Sequence, residues 1–235
     1  MARIISRRQH SFFNRLSVTT TIIILNVIVF LAIFFAFVFI RLSGQGSPES
    51  FISYIALNPS IFIDGYIWTL LTSMFTHLGL SHLLLNMVSL FFIGTFVERL
   101  IGRKRYAWFY LVSGLIAGIF FVVFAYFGTF FPQGQSLFGG ITDSAVGASG
   151  AIFGLGGLLA VLIPRLRVLV FFIVPMPLWA AMSVLLVGFW IISVIAGLPI
   201  GNTAHFGGLL VGLIYGFYLR TKYARKVALL NRMFA

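Results

Sequence analysis

The chain has 235 residues, 60% of them hydrophobic and only 9% charged, which leaves too little polar surface to cover a soluble domain of this size. It has no cysteine, which excludes disulfides, a thiolate nucleophile and Cys-ligated metals. The net charge of +12 raises the question of nucleic acid, which the placement of the charges answers below. The class implied is an all-α, polytopic membrane protein, since the alternating ~10-residue strands of a transmembrane barrel do not occur.

Residues 1–17 form a basic segment with Arg3, Arg7, Arg8 and Arg15 and no acid. The uncharged run 18–40 that follows is too long for a secretory signal core and predicts a retained first span, TM1. The Arg-rich leader also fits an organelle transit sequence. Residues 41–78 make the longest non-spanning connection, broken by Gly44, Gly46, Pro48, Pro59 and Gly65. Its apolar content, with Tyr66 and Trp68, predicts ordered backbone lying partly in the membrane interface. TM2 is expected at 79–97, ended by Glu98, Arg99, Arg103, Lys104 and Arg105, and TM3 at 106–127. A Gly/Pro/Ser-rich connection leads to TM4 at 145–163, closed by Pro164 and Arg165. TM5 is expected at 168–196, with Pro175 and Pro177 kinking or delaying its regular part, and TM6 at 204–219, before a basic tail at 221–235.

Short cytoplasmic loops collect Lys and Arg. With the N-terminus in the cytoplasm, the leader, the TM2–TM3 turn, the TM4–TM5 turn and the tail hold fifteen of the sixteen basic residues, all but Arg41. Glu49, Asp64 and Asp143 fall on the outer side. This bias predicts six spans with both termini cytoplasmic, and it removes the main reason to expect a nucleic-acid partner. Paired broken helices in an inverted repeat are absent, which disfavours a secondary transporter.

In this topology TM2, TM4 and TM6 all run inward from the outer face, and their first turns carry the polar residues: His82 and Asn86, Ser149, and His205. Polar groups at membrane depth are costly and face a cavity or a partner. His82 and Asn86 stand about 40° apart on one helix face, while His205, Gly208, Gly212 and Gly216 share an arc of about 80° on TM6. Gly150, Gly154 and Gly157 form an adjoining stripe on TM4. Such glycines let two backbones approach closely enough for a TM4 serine to meet a TM6 histidine.

Taken singly, each histidine reads as an interfacial hydrogen-bonding side chain and each glycine as a packing residue. Taken together they fit acyl transfer. Ser149 is the candidate nucleophile and His205 its base. No acid lies at that depth to orient the histidine, so a dyad is implied and not a triad. Asn86, His82 and the Ser149 backbone N–H are candidate oxyanion donors, each worth roughly 3 kcal/mol if preorganised. Phe153, one turn beyond the serine, is placed to pack on His205, with Gly147, Gly150, Gly208 and Gly212 completing the packing around the dyad.

These residues resemble the rhomboid intramembrane serine proteases. Gly147-Ala148-Ser149-Gly150 is similar to that family's GxSG motif, Ala204-His205 with Gly208 and Gly212 to its AHxxGxxxG motif, and His82 with Asn86 to its HxxxN. Trp68, Thr72, Phe75 and His77 resemble the run leading into TM2, and Gly94, Glu98, Arg99 and Gly102 the pattern at its end. The resemblance covers about 18–220. It implies that Ser149 is the nucleophile, His205 the general base, and His82 with Asn86 the oxyanion donors. It also implies a membrane-embedded connection between TM1 and TM2 and gating of the substrate path by TM5 and the loop after it. Thr69 stands where the family often has Arg, and Phe153 where it often has Tyr.

The function expected is therefore a serine endopeptidase without cofactor or metal, working in a lipid bilayer on single-span transmembrane proteins and cutting near the outer face through an acyl-enzyme. Helical amides are hydrogen-bonded, so such substrates should carry small or helix-breaking residues near the cut. A prokaryotic plasma membrane is expected ahead of a mitochondrial inner membrane. Two rivals stand beside this reading. One is a non-catalytic relative that binds transmembrane helices for trafficking or degradation. The other is a metal site at His77, His82 and His205, which lacks HExxH and a nearby carboxylate.

Overall fold

The computed structural model describes residues 16–234 except 45, 171, 172 and 199. Arg3, Arg7, Arg8, Arg15 and His10 of the basic leader lie outside the described residues. The architecture is helical: α1 (Val18–Ser43), α2 (Pro48–Ser53), α3 (Pro59–Ile63), α4 (Thr69–Thr72), α5 (Leu80–Ser89), α6 (Thr95–Ile101), α7 (Arg103–Gly128), α8 (Gly134–Phe138), α9 (Ser149–Leu162), α10 (Leu178–Ala196), α11 (Asn202–Lys222) and α12 (Ala224–Arg232). A wider π-helical turn, Leu90–Gly94, joins α5 to α6 without a break. Val18–Ser43, Leu80–Ile101, Arg103–Gly128 and Leu178–Ala196 are each long and apolar enough to cross a membrane.

The central element is α9, which is short and wholly apolar after its first residue. All thirteen of its residues from Gly150 to Leu162 are buried, enclosed chiefly by α11, α7 and α10. Its partner α11 is built with small and polar groups inward and large apolar groups outward. The buried positions are Asn202, Thr203, His205, Gly207, Gly208, Gly212, Gly216 and Leu219, whereas Phe206, Ile214 and Phe217 are exposed. That distribution suits a helix packed on another helix in lipid, where small residues permit close approach and polar ones need protein partners. On the periphery, α1 exposes Ile28, Phe34, Phe35 and Phe39, and α10 exposes Val184, Val187 and Ile195.

The apolar run expected to start TM5 at 168 departs from that expectation. Residues Arg167–Val170 and Val174–Pro177 pair as an antiparallel ribbon, β1 and β2, with Leu169 opposite Pro175, and the helix begins only at Leu178. Pro175 and Pro177 lack the N–H a helix interior requires, and the β-branched Val168, Val170 and Val174 favour extended backbone. The tail also carries regular structure: Asn231 on α12 donates to the Leu162 carbonyl at 2.8 Å, covering the C-terminal end of α9.

Within the connection, residues 54–72 are ordered by their own polar contacts. The Trp68 indole N–H donates to the Tyr54 carbonyl at 2.9 Å, and the Thr72 hydroxyl to the Ile55 carbonyl at 2.9 Å. Thr69 is fully buried and donates to the Tyr66 carbonyl at 2.6 Å. The segment is also joined to the loop leading into α9, through reciprocal backbone hydrogen bonds between Leu57 and Ala145 and through the Asn58 side chain, which donates to the Thr142 carbonyl at 2.7 Å.

Candidate active site

Ser149 is the first residue of α9, following Ala148. A helix N-terminus leaves its first backbone N–H groups without intrahelical acceptors and carries the positive end of the macrodipole. Both features suit a developing oxyanion. His205 lies in the first turn of α11, 7% exposed, and its Nε2 is 2.8 Å from Ser149 Oγ. Its other nitrogen, Nδ1, has no hydrogen-bond partner among the described residues. The pair is therefore two-membered in geometry as well as composition.

The approach of the two helices is set by backbone against backbone. A Cβ at Gly208 would overlap the Gly150 carbonyl, and one at Gly212 the Gly154 carbonyl. A Cβ at Gly157 would lie 2.6 Å from the Leu209 carbonyl oxygen. The helix α7 presses on α9 equally hard: a Cβ at Gly150 would lie 2.7 Å from Ala117 Cβ, and one at Gly154 would overlap Ser113 Oγ.

The His205 ring is held between aromatic rings. Phe153 stacks on it at 4.5 Å between centroids and 15° between planes. Phe189 of α10 approaches it at 6.0 Å and 50°. Stacking restricts the rotamers of an imidazole that has no carboxylate to fix it.

His82 and Asn86 face the turn that precedes the serine. Gly147 adopts φ +112°, and a Cβ there would sit 2.8 Å from both Nε2 and Cε1 of His82 and 3.8 Å from Asn86 Nδ2. Asn86 is 6% exposed and donates to the His82 carbonyl at 2.9 Å, while its Oδ1 is without a partner among the described residues. Gly147 is itself fixed by its N–H, which donates to the Ser73 carbonyl at 2.8 Å. Behind His82 lies His77, fully buried, with ring centroids 5.0 Å apart. Burial, and secondarily the neighbouring His82, lower the His77 pKa to about 4, so it packs as a neutral ring near pH 7. Among the described residues no three His, Cys, Asp or Glu side chains are grouped to hold a metal ion.

The Rhomboid domain model matches residues 64–222. The chain belongs to the rhomboid family. Among its curated relatives, RHOMBOID-like protein 5 of Arabidopsis thaliana is 35% identical over 171 residues, covering 70% of this chain and 48% of that protein. The mitochondrial RHOMBOID-like protein 12 of Arabidopsis thaliana is 32% identical over 159 residues, 65% of this chain and 46% of that protein. Rhomboid protease GluP of Bacillus subtilis is 34% identical over 119 residues, 50% of this chain and 20% of that protein. The matched segment thus spans less than half the length of each of these relatives.

Three features of this rhomboid site escape a reading of the sequence by helical period. Phe189 reaches His205 from α10, a helix whose apolar surface carries no period that singles one ring out. Ser73 and Leu57 engage the loop before Ser149 through backbone atoms, which leave no side-chain signature. Asn58 has a weak signal, since Asn before Pro59 at the start of α3 marks a cap. The second role of its amide, on Thr142, is purely tertiary.

Proposed function

We propose that this rhomboid is an intramembrane serine endopeptidase that cleaves single-span transmembrane proteins near the outer membrane face. The observation that carries the reading is the 2.8 Å contact between Ser149 Oγ and His205 Nε2 across two helices. Ser149 Oγ attacks the scissile carbonyl carbon while His205 Nε2 takes its proton. The oxyanion draws on the Ser149 N–H, Asn86 and His82, and the C–N bond breaks as the imidazolium returns the proton to the leaving amine. Water, deprotonated by His205, then hydrolyses the acyl ester and frees Ser149.

In this reading the chain crosses the membrane six times with both termini in the cytoplasm, which directs the N-terminal ends of α5, α9 and α11 outward. At 14 residues, α9 is about 21 Å long, short of the ~30 Å hydrocarbon core. With its inner end at the cytoplasmic interface, the serine sits below the outer surface, reached by water from outside. Lipid bilayer and single-span substrates are the partners in this account, without metal, cofactor or nucleic acid. The membrane is prokaryotic plasma membrane or mitochondrial inner membrane. The comparisons do not favour the first, and a relative named as mitochondrial supports the second.

A fluorophosphonate probe tests the reading on the purified full chain. Labelling confined to Ser149 and lost in His205→Ala supports the protease. A folded chain that is never labelled overturns it and leaves a helix-binding relative without catalysis.

A further inference from the structure

A cavity of about 270 Å³ lies between α8, the end of α10 and the start of α11, lined also by Gly197, Leu198, Ile200 and Gly201. It is smaller than the ~300–1,000 Å³ typical of small-molecule sites, and suits a single long side chain. Its walls include Phe138 and Leu198, and its polar groups include Asp143, Ser193 and Asn202.

The cavity holds unspent acceptors beside groups that can donate or accept, the Gln135 amide and the Ser136 and Ser144 hydroxyls, and its only ionisable lining group among the described residues is Asp143. The Ser193 hydroxyl donates to the Leu198 carbonyl at 2.8 Å. The Gly140 N–H is taken by Asp143 Oδ2 at 2.7 Å, which leaves Oδ1 of the same carboxylate available. Asn202 is 4% exposed, and its Oδ1 has no hydrogen-bond partner among the described residues. Among the described residues no Lys or Arg lines the cavity, although the chain carries sixteen. A carboxylate and an unpartnered buried amide carbonyl lining one cavity, with Phe138 and Leu198 in its walls, match a cationic head on an aliphatic stem.

The cavity is also in reach of the chemistry. Asn202 precedes His205 by three residues, about 4.5 Å of helix rise, and an extended peptide advances about 3.3 Å per residue. Accepting the protease reading above, we propose that this cavity is a specificity subsite for a Lys or Arg side chain of the substrate, within about four residues of the scissile bond, with Asp143 as the charge-selecting residue and Asn202 as the second acceptor.

The test uses the full chain in detergent with a set of otherwise identical single-span substrates. Each carries Arg, Gln or Glu at one of the four positions on either side of the cut, and every preparation is also labelled with a fluorophosphonate. At one position the wild type should cleave the Arg substrate about tenfold faster in kcat/KM than the Gln substrate. Asp143→Asn should bring that ratio close to one, and Asp143→Lys should make Glu the preferred residue. Ratios are taken within one preparation, so partial misfolding of a variant cancels. A labelled, cleaving wild type with no charge preference at any position overturns the subsite alone, as does a preference that survives Asp143→Asn. A wild type that neither labels nor cleaves overturns the subsite together with the protease reading.

Discussion

Gly147 shows how narrowly the site is specified at the scale of single residues. Its φ of +112° is one that L side chains rarely adopt, and the His82 ring fills the space a Cβ would take. Gly147→Ala is expected to move either the turn or the imidazole. The measurement is kcat/KM on a single-span substrate, with a fall of at least tenfold in the folded fraction, alongside a lowered melting temperature in detergent from about 1–3 kcal/mol of backbone strain. Asn86→Ala removes one candidate oxyanion donor and should lower kcat about 10²–10³-fold with KM nearly unchanged. Phe153 stands in for the ring that positions His205. Phe153→Leu should lower kcat about tenfold, the scale of a lost aromatic pair, and Phe153→Tyr should stay near wild type. Ser149, His205, His82 and Asn86 were legible in the sequence because each is a polar residue at the same depth of an apolar helix, where the cost of burial demands a reason. Phe189 was not, because an aromatic residue in a lipid-facing helix incurs no such cost and only the tertiary contact reveals its role.

At the scale of elements, the pairing of α9 with α11 decides whether a dyad exists. Gly208 and Gly212 meet the carbonyls of Gly150 and Gly154, so any added methyl pushes the helices apart. Gly212→Val is expected to cost more than the ~1–3 kcal/mol of ordinary overpacking, since the obstacle is backbone and cannot rotate away. Thermal unfolding in detergent checks this, alongside loss of fluorophosphonate labelling at Ser149 even in the fraction that remains folded. The glycine stripes were readable from their spacing alone. The start of α10 was not fully so: Pro175 and Pro177 signalled interrupted helix, but pairing with 167–170 depends on a partner strand that hydropathy cannot distinguish from the beginning of a span. The π-helical turn at Leu90–Gly94 was likewise unmarked. A Cβ at Gly94 would lie 2.6 Å from the Tyr106 hydroxyl and 3.2 Å from Thr19 Cγ2, so the close approach of three helices accompanies the widened turn.

Across the whole molecule, Glu98 ties α1 to the bundle. Its carboxylate accepts from the Val18 N–H at 2.8 Å, the Thr19 N–H at 2.8 Å and the Thr19 hydroxyl at 2.7 Å. The Arg103 guanidinium adds a donor to the Leu16 carbonyl at 2.6 Å. Hydrogen bonds to a buried charge are worth about 1.5–3 kcal/mol each, so Glu98→Ala should destabilise the fold and loosen α1 first, read as faster proteolysis near its N-terminus. The exposed Arg103 to Glu98 contact, at 3.9 Å, contributes little by comparison. Charge placement makes a global prediction too: reporters fused to either terminus should both be shielded from outside proteases.

The claim on which the rest depends is that one serine and one histidine, brought together by glycines, cut a peptide bond inside a membrane. The direct measurement is mass spectrometry of a single-span substrate incubated in proteoliposomes with the wild type, Ser149→Ala and His205→Ala. The account predicts one cut within the substrate's outer membrane half by the wild type, and loss of that product by several orders of magnitude in both variants. The same cut at a comparable rate in either variant would contradict it.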